Sequence, residues 1–146
     1  MVAVRLAGAR GDLTGTEHHL WTRTRGTPYV PSILLYDDAL YFLSHYQNVM
    51  SRADLGTGEN DGGPFRLRGL GNVYASPVGA AGRIYVTDLE GRTLVLRHGK
   101  EAQPLALNDL GEPVSASAAI AGHEIFLRGD VHLYCIADSA ERASGR

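Results

Sequence analysis

The feature that most narrows what this chain can fold into is a pattern that returns three times, at intervals of 44 and then 41 residues. Ser32-Ile33-Leu34 with Asp38-Ala39-Leu40-Tyr41-Phe42 aligns with Ser76-Pro77-Val78 and Gly82-Arg83-Ile84-Tyr85-Val86. It aligns again with Ser117-Ala118-Ala119 and His123-Glu124-Ile125-Phe126-Leu127. Each copy reads as a short strand, a tight turn and a second strand opened by an aliphatic and an aromatic residue, which is the pattern of a β-hairpin. Helical repeats of similar length need apolar residues at i, i+3 and i+4 over ten or more positions. These segments run four to seven residues, are rich in Val, Leu, Ile and Tyr, and are broken by glycine.

Further strands are expected after each hairpin: 48–53 and 65–68 after the first, 93–97 and 104–107 after the second, and 131–136 after the third. Residues 2–6 and 19–23 read as two strands with no hairpin before them. Four antiparallel strands in a period of about 40–45 residues match one blade of a β-propeller. The expected fold is therefore all-β, a partial β-propeller of about three four-stranded antiparallel blades. The end of an incomplete blade, with two strands, occupies 1–26, followed by blades at 27–70 and 71–112, an incomplete three-stranded blade at 113–137 and a disordered tail at 138–146. Such an arc leaves apolar sheet faces in water, and each large side chain so exposed forgoes about 1.5–3 kcal/mol. Completion by self-association is expected, as a dimer that closes the ring when the last unit accepts the strand at 19–23 of the other copy, or else completion by missing N-terminal blades.

Composition excludes several partners. Fourteen Lys and Arg face sixteen Asp and Glu, for a net charge of −2, so no basic excess is present to hold a nucleic-acid backbone. No apolar run is long enough for a membrane span or a secretory signal. Cys135 is the single cysteine, which excludes an intrachain disulfide and a zinc site of several thiolates.

Between strands stands Ala53-Asp54-Leu55-Gly56-Thr57-Gly58-Glu59, which resembles the A-x-D-x-x-T-G-K/E turn of quinoprotein-like repeats. With Ser76-Pro77-Val78, Gly82-Arg83-Ile84-Tyr85-Val86-Thr87 and Gly91-Arg92-Thr93-Leu94-Val95-Leu96, residues 12–137 resemble the PQQ-binding-like β-propeller repeat proteins, and specifically their C-terminal blades. Trp21 is similar to the tryptophan that often closes a blade in this family, and the other blades keep none. The resemblance implies a ring of six to eight blades in full-length members, which are usually exported or periplasmic; the compartment of this chain stays open. True quinoprotein dehydrogenases hold PQQ over a tryptophan floor with calcium and an aspartate base. This chain has one Trp, no vicinal cysteines and no evident calcium-binding cluster, so no cofactor is expected.

The chemistry-bearing residues read the same way. His18 and His19 are neighbours in a strand and point to opposite faces, so they do not easily share one ion with His45; no metal ligand is assigned. No Gly-x-Ser-x-Gly elbow occurs, and Ser32, Ser76 and Ser117 recur at one repeat position, which favours a structural role. Asp37-Asp38 lies in a hairpin turn, where aspartates hydrogen-bond the backbone. Gly69, Gly71 and Asn72 are followed by Tyr74 and no helix, which defeats a dinucleotide loop. The expected function is a non-catalytic propeller scaffold or interaction module for a protein partner, with His45, Tyr46, Gln47, Arg52, Asp88 and Glu90 as the loop residues offered to it. The alternatives are a degenerate quinoprotein-like oxidoreductase fragment and a truncated gene product without independent function.

Overall fold

A computed structural model describes residues 1–44 and 48–137; the expected tail at 138–146 lies outside them. The described residues form strands and turns only, arranged as four antiparallel sheets in chain order. The first pairs β1 (Val2–Val4) with β2 (His19–Thr22). The second is β3 (Leu34–Tyr36), β4 (Ala39–Leu43), β5 (Val49–Asp54) and β6 (Asn60–Arg66). The third is β7 (Val78–Ala80), β8 (Arg83–Thr87), β9 (Arg92–Arg97) and β10 (Gln103–Asp109). The last has three strands, β11 (Ala119–Ala121), β12 (Glu124–Arg128) and β13 (Leu133–Ala137). No helix among the described residues is long and apolar enough to cross a membrane.

The three repeated hairpins fold as the pattern predicts. Tyr36 pairs with Ala39, Ala80 with Arg83 and Ala121 with Glu124, so each turn has two residues between paired positions. Such turns demand positive φ, and the chain supplies it at Asp37, at Ala81 and Gly82, and at Gly122. The middle strands then alternate their faces. In β8, Ile84 and Val86 join Tyr41, Leu43 and Met50 of the second sheet in the main core, together with Leu94 and Leu96 of β9 and Leu67, Leu70 and Val73 of the linker. Tyr85 and Thr87 point the other way, toward the last sheet. Strand β4 is buried at all five positions, because Leu40 and Phe42 on its other face, with Ala53, are covered by Met1 and Trp21 of the first sheet.

The first strands of the last three sheets lie side by side, and the repeated serines join them. Ser32 donates its backbone N–H to Ser76 Oγ at 2.9 Å, and Ser76 donates its own to Ser117 Oγ at 2.9 Å. The turns after the middle strands are tied to the linkers in the same periodic way. Leu89 N–H donates to the Asn72 carbonyl at 2.8 Å, and one repeat later Asp130 N–H donates to the Pro113 carbonyl at 3.1 Å.

Some strand limits differ from the sequence reading. β6 begins at Asn60 rather than 65, because Gly62, Gly63 and Pro64 sit on the free edge of the sheet. An edge position tolerates a residue without an N–H, and a Cβ on Gly62 would stand 2.6 Å from the Lys100 carbonyl oxygen. β13 begins at Leu133 rather than 131, since Val131 and His132 turn their N–H groups to Glu112. β1 ends at Val4, and beyond it Arg5 N–H donates to the His18 carbonyl.

Candidate functional site

The loop residues expected to meet a partner divide sharply. Arg52 lies within β5, not in a loop, and is 3% exposed. Its Nε donates to Tyr41 Oη at 3.1 Å and Nη2 to Asp38 Oδ1 at 3.1 Å, and Nη1 donates to Asp61. Burial works against its charge, but the hydrogen bonds it donates to Asp61 and Tyr41 outweigh this and raise its pKa above the ordinary arginine value. Tyr41 Oη lies 2.9 Å from His98 Nδ1 and accepts the Gly99 N–H at 3.2 Å. His98 Nε2 stands 3.5 Å from Asp37. Through Tyr41 and His98 this polar network pins the second sheet to the third, while Asp37 and Asp38 at its rim remain exposed.

Asp88 is fully buried. Its carboxylate accepts N–H groups from Gly71 at 2.7 Å and Arg92 at 2.8 Å, and Arg92 Nε at 3.0 Å. It closes the β8–β9 turn onto the linker from the preceding sheet. Glu90 is exposed and pairs with Arg92 at 2.6 Å. His45, Tyr46 and Gln47 lie outside the described residues. Of the six, Glu90 is the described residue that presents its side chain to water, and Arg52 and Asp88 act within the fold.

Glu112 was not singled out in the sequence, although the structure makes it a junction. Its carboxylate accepts the backbone N–H groups of Val131 at 3.0 Å and His132 at 3.3 Å. Hydrogen bonding from Tyr134 first, then these N–H groups and nearby His132, hold its pKa below the usual carboxylate range. A Cβ on Gly129 would fall 2.3 Å from Glu112 Oε1, so Gly129 is what lets the carboxylate reach the turn. The clue available in sequence was the glycine in the turn opposite an acidic linker residue.

Trp21 of β2 rests on the turn between β5 and β6. Its indole Nε1–H donates to the Leu55 carbonyl at 3.0 Å, and a Cβ on Gly58 would come within 2.5–2.7 Å of three ring carbons. Arg23 extends the same contact, with Nη1 donating to the Gly58 carbonyl at 3.0 Å and to Asn60 Oδ1 at 2.8 Å, and its guanidinium 5.1 Å from the centre of the Phe42 ring.

A cleft of about 320 Å³ separates the third sheet from the last. Its apolar lining includes Tyr85, Val95, Leu110, Ile125, Leu127 and Ile136. Among the described residues the last sheet has three strands, and β10 beside it is exposed along its whole length. At the last sheet, Val131 and Leu133 are 78% and 72% exposed. At the other end, Val2, Val4, Leu6 and Leu20 are exposed. His18 Nδ1 lies 3.1 Å from the Arg5 carbonyl and His19 Nε2 2.7 Å from Thr22 Oγ1, so the rings are engaged locally. Among the described residues no three His, Cys, Asp or Glu side chains gather as a metal site.

Serially stacked antiparallel sheets with their first strands adjacent are the geometry of a propeller arc, and a solved structure bears it out. The chain is similar to the crystal structure of BamB from Moraxella catarrhalis, with a TM-score of 0.62 and 14% sequence identity over 90% of this chain. The fold is that of a β-propeller segment. It spans 39% of the length of that BamB chain. No family model matches the sequence, and no curated protein matches it. At this identity the likeness concerns the fold alone.

Proposed function

We propose that this chain is a non-catalytic β-propeller module of the PQQ-like repeat type whose work is to bind protein. The observation that carries the reading is the contrast between its polar and apolar residues. Its buried charged groups, Arg52 and Asp88, are spent on contacts within the second sheet and on a linker, whereas large apolar side chains stand in water at both ends of the arc. Burying surface of that kind against another polypeptide is favourable by about 25 cal/mol per Å², and contiguous exposed apolar patches mark interaction sites.

The test sets this reading against redox chemistry. The purified chain is incubated with PQQ and Ca²⁺, desalted, and examined for retained absorbance and for dye reduction, while 1-anilinonaphthalene-8-sulfonate reports exposed apolar surface. The expected result is no retained chromophore, no dye reduction and a bright fluorescence signal from the folded chain. Stoichiometric retention of PQQ with dye reduction would overturn the proposal in favour of a quinoprotein-like oxidoreductase fragment.

A further inference from the structure

We infer that the cleft between the third and last sheets is a binding site for a small neutral molecule with an apolar body and one hydrogen-bonding group, such as an aryl-alkyl alcohol. The site lies inside the arc, between two sheets that the chain itself supplies. It goes beyond the protein-binding reading and does not rest on it.

One row of residues changes character from one sheet junction to the next. In the second sheet Leu43 pairs with Met50 and Met50 with Phe65, and all three pack into the core between the second and third sheets. In the third sheet the same places are held by Thr87, Thr93 and Asn108. Thr87 pairs with Thr93 and Thr93 with Asn108, and all three line the cleft. The other walls of the junction are kept. Ile125 and Leu127 stand where Ile84 and Val86 do, and Ile136 where Leu96 does. Leu110 donates its N–H to the Gly91 carbonyl as Leu67 donates to that of Asn48. Three large apolar side chains that fill one junction are thus replaced in the next by two hydroxyls and an amide. What results is a cleft of about 320 Å³ with a polar row across its apolar wall.

A hydroxyl taken out of water needs a partner, and the row supplies only part of what its groups can use. Thr87, 4% exposed, has its Oγ1 2.9 Å from Thr93 Oγ1. Each hydroxyl has one donor and two acceptor sites, so this mutual bond leaves the pair able to donate once more and to accept. Beside the row, Tyr85 stands where Tyr41 does, but its cross-strand partner is Val95 in place of Arg52. The guanidinium that engages Tyr41 Oη therefore has no counterpart there.

Charge narrows the occupant further. Among the described residues the lining holds one charged side chain, Asp109, whose Oδ1 accepts the Gly111 N–H at 2.8 Å. An anion therefore meets no opposite charge. Asp109 is exposed, so its pull on a cation is screened, whereas an ammonium drawn between apolar walls loses its hydration. A neutral hydroxyl can both donate to the row and accept from it. The volume is about twice that of a cavity that takes benzene, which admits a body of about ten non-hydrogen atoms.

The experiment titrates the full chain with three probes of one shape, 4-phenylbutan-1-ol, 4-phenylbutylamine and 4-phenylbutyrate, followed by calorimetry and by amide chemical shifts. The alcohol should bind with a Kd of about 1 mM or tighter, move the amides of Thr87, Thr93 and Leu127, and exceed both charged probes by about tenfold or more. Thr93→Val keeps the shape and removes one hydroxyl, and should weaken the alcohol by roughly threefold to tenfold. Asn108→Leu, on an exposed strand, should do the same. Thr87→Leu with Thr93→Met rebuilds the row of the second sheet; it should abolish binding and raise the urea midpoint as the cleft fills. Far-UV circular dichroism confirms that each variant folds. Three results would each overturn the inference: no shift at the cleft with any probe up to about 10 mM, a charged probe bound as tightly as the alcohol, or alcohol binding indifferent to the folded variants. All three leave the protein-binding reading standing, whereas PQQ retention would remove that reading and leave the cleft to be judged by these titrations.

Discussion

Replacing Gly58 by alanine probes the contact that fastens the first sheet to the second. Gly58 has φ of +71°, where an L residue costs about 1–2 kcal/mol. The new methyl would also stand 2.5–2.7 Å from three carbons of Trp21, and overpacking of this kind costs about 1–3 kcal/mol. The ring does not slide aside freely, since its Nε1–H is held by the Leu55 carbonyl at 3.0 Å and moving it forfeits about 1 kcal/mol. Gly58→Ala should therefore destabilise by about 2–5 kcal/mol. In a Trp21→Ala background the clash is gone and the backbone cost of about 1–2 kcal/mol remains, so the two substitutions should couple by about 1–3 kcal/mol. Urea unfolding followed by far-UV circular dichroism measures this without the Trp21 fluorophore, the single tryptophan of the chain. Additive effects would refute the argument, because they would mean that Trp21 does not rest on Gly58.

Three further outcomes are expected. Ala81 holds φ of +48° in the β7–β8 turn, so Ala81→Gly should stabilise by up to about 1 kcal/mol and Ala81→Asn by less, read as a higher urea midpoint. Arg52→Met removes three hydrogen bonds from a buried guanidinium and should cost roughly 2–3 kcal/mol, with a lowered melting temperature. Glu112 has a folded pKa below its unfolded one, so its contribution is present at neutral pH and is lost as pH falls through the folded value. Thermal melts between about pH 6 and pH 2 should fall less steeply for Glu112→Gln than for the wild type.

The repeat was legible because hairpin turns and alternating strands depend on neighbours in sequence. Ala81 and Gly82 can be read as a two-residue turn without knowing what packs on it. The same locality made Ser32, Ser76 and Ser117 recognisable as structural from their spacing, although which atom of each does the bonding was not. The burial of Arg52 was hidden because its partners, Asp38, Asp61 and Tyr41, come from a turn and two other strands. Asp88 was hidden because the N–H that it accepts from Gly71 belongs to a linker 17 residues away. Gly62, Gly63 and Pro64 fell outside the strand expected at 65–68 because propensity does not distinguish a loop from an unpaired edge. The close approach of Tyr36 to Gly79, where a Cβ would stand 2.5 Å from the ring, also needed the structure, since only the stacking order says which repeat positions meet.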